Sequence, residues 1–320
     1  MERVAINDFT NKDLQAAFAE TEANHVDWLS HYEDKIVDRI LNPKEEEGFT
    51  LPWANAAGLR FRPGELVLLC GRAGDGKTTL ALQILLHFAA TQDVKVGIQS
   101  FEMPVEETGE LLSTLADPYK EKSEAWARDF VKWSREKICI YNRSGQQDPI
   151  HIIGCCAVMA RDYEAKVILI DSMMMAKVSD DMEKERKFSA ELVKVAHRFN
   201  VCIILVHHVR KKNAGDKTTR PTRDDIRGSG AIVDVSSTTL IYYQDRKRKL
   251  IKAKVEKGQA DYADHEYLAD HPDGIIAVDK QRYGKFEAPI GLYQSDRRVF
   301  TATENEKVVP LEIHDERKTL

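Results

Sequence analysis

The stretch Gly71–Thr78 reads GRAGDGKT. It follows the apolar run ELVLLC directly and leads into TTLALQILLHFAA. A chain that leaves a strand into three glycines and then starts a helix has little choice of geometry. Glycines let backbone N–H groups converge without a Cβ in the way, and the helix aims its positive end at the same point. The spacing G-x-x-x-x-G-K-T is that of a phosphate-binding loop between strand and helix. Gly71, Arg72, Ala73, Gly74, Asp75, Gly76, Lys77, Thr78 and Thr79 are therefore the expected nucleotide cradle. Lys77 is placed to reach the β- and γ-phosphates and the Thr78 hydroxyl to hold Mg²⁺. ATP, or another NTP or dNTP, with Mg²⁺ is the cofactor set this implies.

The rest of the chain supplies a body for such a loop. VLLC, VKVGIQ, ICIY, VILID, CIILVHH and TLIYY are short apolar runs separated by helical stretches. That alternation predicts an α/β fold with a mainly parallel twisted sheet and helices on both faces. Five cysteines occur at 70, 139, 155, 156 and 202, with no C-x-x-C pair to hold a zinc. No stretch approaches the roughly 18–20 apolar residues of a membrane span, and MERVAINDFT has no apolar export core. A net charge of −5 does not advertise a nucleic-acid binder, though a local basic patch would suffice for one.

Two further carboxylates belong with the loop. VILIDS runs an apolar strand into Asp171, where a second Mg²⁺-side acid is expected. VGIQSFEMP places Glu102 just past the next strand, suited to orient the water that attacks a γ-phosphate. Between Arg210 and Arg227 there are seven basic and three acidic residues in a Gly-, Thr-, Asn- and Pro-containing run. That composition predicts a long basic loop.

Taken in order, GRAGDGKTTLALQ, SFEMPVEETGELL, VILIDS, ILVHHVRK, DDIRGSGAI and VDKQRYG resemble the RecA-like motor of DnaB-type replicative helicases. The phage primase-helicases and the mitochondrial Twinkle helicase belong to the same group. The resemblance covers about residues 50–295. It implies that Glu102 is the catalytic Glu and Asp171 the metal-side Asp. It implies that His208 senses the γ-phosphate, with His207 as the second choice. Arg210, Lys211, Lys212, Lys217, Arg220, Arg223, Arg227, Gly228 and Ser229 would then grip a single-stranded DNA backbone, a sequence-blind contact of cations and amides with phosphate. Lys280 and Arg282 match a trans-acting pair that completes a neighbour's site, with Arg282 as the finger. The lysines of LIKAKVEKG, taken as following a strand, are the alternative.

The resemblance further implies a homohexameric ring that hydrolyses NTP between subunits and unwinds forked DNA. A separate primase, polymerase or loader would be a partner, no membrane is involved, and the location would be the cytoplasm of a bacterial or phage-infected cell. A recombination ATPase forming filaments, or a nucleotide-switched assembly module, are the alternatives. Three parts are expected along the chain: a helical arm over 1–47, the motor over 48–300 and a polar, frayed tail over 301–320. The arm carries 5 basic and 12 acidic side chains. Its apolar stripe Trp28, Tyr32, Ile36, Ile40 must pack on the motor or on an adjacent subunit. Forty-seven residues without C-x-x-C are neither a zinc-bearing primase nor a globular N-domain.

Overall fold

The computed structural model describes residues 28–42, 47–178, 181–210, 220–227 and 230–313. The chain divides into two units, residues 1–46 and 47–320. In the first, a 3₁₀ turn over Leu29–Tyr32 leads into helix α1, Glu33–Leu41. Trp28, Leu29, Val37, Ile40 and Leu41 of this segment are all exposed. The helix expected within residues 11–25 lies outside the described residues.

The second unit begins with two short strands, β1 (Phe49–Thr50) and β2 (Arg60–Phe61), which pair antiparallel. There follow β3 (Leu66–Gly71), α2 (Lys77–Thr91), β4 (Val96–Ser100), α3 (Val105–Ala116) and α4 (Glu124–Ser134). Next come β5 (Ile138–Ile140), α5 (Pro149–Asp162), β6 (Val167–Asp171), α6 (Met182–Phe199), β7 (Cys202–His208), α7 (Gly230–Val235) and β8 (Thr238–Gln244). The helices α8 (Arg246–Glu256) and α9 (Tyr262–Asp270) precede β9 (Gly274–Gln281), β10 (Ile290–Gln294) and β11 (Phe300–Thr301). The main sheet has the order β11-β10-β9-β8-β3-β7-β6-β4-β5. The run from β8 to β5 is parallel, and β9, β10 and β11 extend it antiparallel.

The period of two along each strand divides the core cleanly. Val67 and Leu69 of β3, Ile204 and Val206 of β7 and Leu169 of β6 face α2, α3 and α4. Leu66, Leu68, Ile203, Leu205 and Ile170 face α5, α6 and α7. Both faces are covered, so the central strands read as unbroken apolar runs rather than as alternation.

Helix α2 is buried on nearly every side, which explains why TTLALQILLHFAA has no polar face. Its outer side is covered by the chain's two flanks. The Trp53 indole donates to the Phe300 carbonyl at 3.0 Å. Gln83 of α2 grips the same residue twice, donating to Phe300 O at 2.7 Å and accepting from Phe300 N at 2.8 Å. The expected polar tail differs here. Val308, Leu311 and Ile313 pack against the α2 side of the core, and Leu311 N donates to Ala116 O at 2.8 Å. Their intermittent apolar residues, set among charges, carry no periodic signal strong enough to show in sequence.

Replacing Gln83 by Ala leaves the buried Phe300 amide without its acceptor, a loss of about 1–3 kcal/mol. Urea unfolding should show a lowered midpoint at unchanged slope. An unshifted midpoint would mean that the amide side chain holds nothing.

Candidate functional site

Parallel pairing brings the carboxyl ends of the strands to one edge of the sheet, and the register aligns them. Gly71 of β3 lies opposite His208 of β7 and Tyr242 of β8, and Ser100 of β4 lies opposite Asp171 of β6. The loop between β3 and α2 opens from this edge. A Cβ at Gly71 would lie 2.4 Å from the Tyr242 carbonyl oxygen, so only glycine fits there. Gly74 and Gly76 have φ of +81° and +97°, the left-handed region that lets the loop curl its amides inward.

Lys77 is the first residue of α2 and is buried. Its ammonium donates to Arg72 O at 2.8 Å and to His208 Nδ1 at 3.3 Å. Burial lowers its pKa, and Asp171, Asp75 and Glu102 act in the opposite sense. The partners assign the His208 tautomer: Nδ1 accepts from Lys77, so the proton sits on Nε2. Nε2 faces Glu102 Oε1 at 3.8 Å, and Ser172 Oγ donates to the same oxygen at 2.5 Å. His208, then Ser172 and Lys77, hold the Glu102 carboxyl down to about 2 against partial burial. Such a carboxylate is ionised throughout the neutral range. It is too weak a base to keep a proton, and well suited to fix a water by accepting from it.

Asp171 is only 2% exposed. Burial pushes it up to about 6, although the nearby Thr78 hydroxyl and the Lys77 ammonium act in the opposite sense. Its Oδ2 has no hydrogen-bond partner among the described residues. A hydroxyl beside a buried carboxylate with a spare oxygen is a fitting donor pair for Mg²⁺, which takes one or two protein oxygens and completes its shell with water and phosphate. No cluster of three or more His, Cys, Asp or Glu among the described residues could cage a metal without such help.

His207 and His208 point to opposite faces, as neighbours on a strand must. His207 is fully buried, donates from Nε2 to Arg227 O at 2.6 Å and is pushed down to about 4 by burial. Of the two, the structure brings His208 to Lys77 and Glu102. The basic loop leaves β7 immediately afterwards, and its two arms are zipped at the base. Val209 bridges Ile226 antiparallel, Arg210 N donates to Asp225 O at 2.5 Å, and Arg227 N donates to His208 O at 3.0 Å.

Of the basic loop residues, Arg220 lies over the Tyr243 ring at 5.8 Å. Arg223 pairs with Asp234 at 2.8 Å, and Arg227 Nη1 donates to Met174 Sδ at 3.4 Å. Lys211, Lys212, Lys217, Gly228 and Ser229 lie outside the described residues.

Lys280 and Arg282 are not part of this cluster. Lys280 is level with Thr239 and hence with Leu68. Arg282 N donates to Ser237 O, two residues further from Gly71 and level with Leu66, whose carbonyl accepts from Ser237 N. At the rise of a strand, Arg282 lies ~16 Å from Gly71 along the sheet. The Lys280 ammonium donates to Val233 O at 2.5 Å and to Asp234 O at 2.9 Å, and Arg282 donates to Asp234 O as well. Both thus cap the carboxyl end of α7, where carbonyls favour cations. Burial, then Arg282 and Arg223, bring Lys280 down to about 8.

The lysines of LIKAKVEKG, expected to follow a strand, lie on helix α8 (Lys252 and Lys254) and at its C-cap (Lys257) instead. Its cations are largely matched within the chain: Arg248 with Asp273 and Glu304, Lys252 with Asp273, Lys254 with Asp264. Two site features had no signal in the sequence: Ser172 on Glu102, and an ion pair from Arg246 to Asp75 at 3.4 Å. Ser172 ends VILIDS but nothing in that motif points to Glu102, Arg246 lies in none of the quoted motifs, and each meets its partner only through the fold.

Known proteins can be set beside this geometry. The DNA helicase/primase of Enterobacteria phage T3 is 24% identical over 205 residues, 58% of this chain and 36% of that protein. The replicative DNA helicase DnaB of Haemophilus influenzae is 23% identical over 218 residues, 62% of this chain and 46% of that protein. The chain thus spans less than half the length of these relatives. Among solved structures, an ATPase domain solved on its own superposes with a TM-score of 0.68 at 17% identity, over 87% of this chain and 100% of that one. A DnaB-like replicative helicase, solved in a study of its interactions with primase, superposes at 0.61 and 16%, over 91% of this chain and 71% of that one. These likenesses show a RecA-like ATPase fold with a mostly parallel central sheet. The family model of the DnaB-like helicase C-terminal domain matches residues 55–301, most of the chain's length, and the chain belongs to that family.

Proposed function

We propose that the chain is an NTP-driven DNA helicase motor that hydrolyses its nucleotide between subunits of a ring and draws single-stranded DNA through the centre. The observation that carries this reading is the convergence of Lys77, Thr78, Asp171, Glu102 and His208 at the carboxyl edge of the sheet, with a basic loop rooted on His208 itself. Backbone amides of residues 71–78 cradle the phosphates, and Lys77 supplies positive charge at the β/γ bridge. Thr78 and Asp171 hold Mg²⁺, which neutralises phosphoryl charge when bound. Glu102 orients the attacking water. His208 touches both Lys77 and Glu102 and so reads the state of the phosphate end. It passes a change to the loop through Arg227 N.

Arg282 completes the site of a neighbouring copy. Its place at the far end of the sheet supports this, since an arginine side chain is far too short to reach its own phosphate loop from there. A finger used only in trans calls for a closed ring, and a homohexamer is the reading taken from the family. The exposed apolar residues of the first unit, Trp28, Leu29, Val37, Ile40 and Leu41, suit an arm over 1–47 that packs on the adjacent subunit. The motor then occupies 48–300, extended by the packed segment to 313. Single-stranded or forked DNA is the substrate, and a separate primase, polymerase or loader would act with the ring. The expected setting is the cytoplasm of a bacterial or phage-infected cell; no helix among the described residues is long and apolar enough to cross a membrane.

The reading as a whole is tested by NTPase activity with and without single-stranded DNA, paired with unwinding of a forked duplex. Stimulation together with unwinding is expected; filaments without unwinding would point to strand pairing instead. Glu102→Gln should keep nucleotide affinity while turnover falls about 10²–10⁴-fold, since the carboxylate that orients the attacking water is lost. Collapse of nucleotide affinity would make Glu102 a binding residue. Arg282→Ala should lower turnover by roughly 10³–10⁵-fold, the weight of an arginine finger. Mixing it with Lys77→Ala, itself inactive, should restore partial activity through interfaces that join an intact loop to an intact finger. Mixed rings that recover nothing, at ratios where wild-type subunits diluted into Lys77→Ala do retain activity, would place Arg282 in cis.

A further inference from the structure

Asp75 is an odd residue for its place. It sits inside the loop that gathers polyphosphate, it carries negative charge, and it is almost fully buried. Its oxygens are turned to the back of the loop. Oδ2 accepts from Gln244 N at 3.4 Å, and Oδ1 faces Arg246 Nη2 at 3.4 Å. Both contacts are long, so neither alone explains a carboxylate. A serine or asparagine would accept from Gln244 N at no electrostatic cost to an anion bound in front.

The partner side is held firmly. Asp245 caps α8 by accepting from Arg248 N at 3.0 Å, and it also accepts from the Tyr267 hydroxyl at 2.9 Å. Asp245 N donates to Asp273 O at 2.8 Å. Arg246 therefore leaves a braced turn, with its guanidinium about one-third exposed and reaching the buried carboxylate from outside.

We propose that Asp75 and Arg246 together set nucleotide affinity, the Asp75 carboxylate opposing the bound phosphates through space and Arg246 offsetting it from the β8–α8 turn. This rests on the nucleotide-hydrolysing reading above and assigns the pair as positioning residues behind the phosphate loop. A charge in a site of low dielectric is weakly screened, so its effect crosses the few ångströms of loop between it and a polyphosphate. The benefit to a motor is release: a loop made only of donors and Lys77 would hold spent diphosphate tightly, and product release limits many enzymes of this kind.

The test is calorimetric binding of Mg-ADP and Mg-ATP to the full chain at fixed ionic strength, with melting curves to show that each variant is folded. Asp75→Asn keeps the acceptor for Gln244 N and removes the charge; it should bind both nucleotides about 3- to 10-fold more tightly, within the range of couplings between neighbouring groups. Asp75→Ser should shift binding in the same direction. Arg246→Gln should weaken binding by a similar factor in the wild-type background and change it less than about twofold in Asp75→Asn, since neighbours that act through one another are not additive. Equal losses in both backgrounds would show that Arg246 acts on the nucleotide itself. Weaker binding in both Asp75 variants would make the carboxylate a staple of the loop. Either result overturns the proposal while leaving the motor reading standing. A wild-type chain that binds neither nucleotide would overturn both.

Discussion

Everything at the site depends on the register of β3 between β7 and β8. Gly71 lies opposite both His208 and Tyr242, at a spacing that no larger residue tolerates. That single alignment fixes where the phosphate loop leaves the sheet, which ring Lys77 meets, and how near the β8–α8 turn stands to Asp75. A slip of one residue would turn His208 to the other face and put His207 at the phosphates.

The charges that meet there are held at a balance that burial would otherwise forbid. Lys77 and Asp171 are each taken from water, and each is pushed toward neutrality by that alone. Each opposes the neutralisation of the other through its charge, and His208 acts on Asp171 in the same sense. In the proposed motor, anion and metal would enter a site whose side chains are already oriented, leaving little reorganisation for the chemical step.

Much of this was legible in the sequence, for definite reasons. Strands covered on both faces write continuous apolar runs, and the phosphate loop writes its glycines, so β3, β4, β6, β7 and β8 and the positions of Lys77, Thr78, Glu102 and Asp171 could be read directly. His208 could be preferred to His207 only through the resemblance, because two adjacent histidines have no periodicity of their own. The α8–α9 pair was not legible: Arg248 is fully buried between Asp273 and Glu304, and nothing in a run of basic residues tells an internal ion network from a solvated face. The packed course of residues 301–313 was hidden for a similar reason. Its apolar positions are few, and what they cover, α2, is far away in sequence.

The double attachment of Arg227 has a consequence for how the proposed motor would move. Its N–H is held by the carbonyl of His208 and its C=O by the ring of His207, so both ends of one residue are fastened to the end of one strand. With Val209 bridged to Ile226, the root of the loop is fastened on both arms. On the returning arm, Arg223 is tied to Asp234 and Arg220 lies over the Tyr243 ring, so the anchoring continues past Asp225. A displacement of the strand end would carry that root with it, as through a keyed shaft.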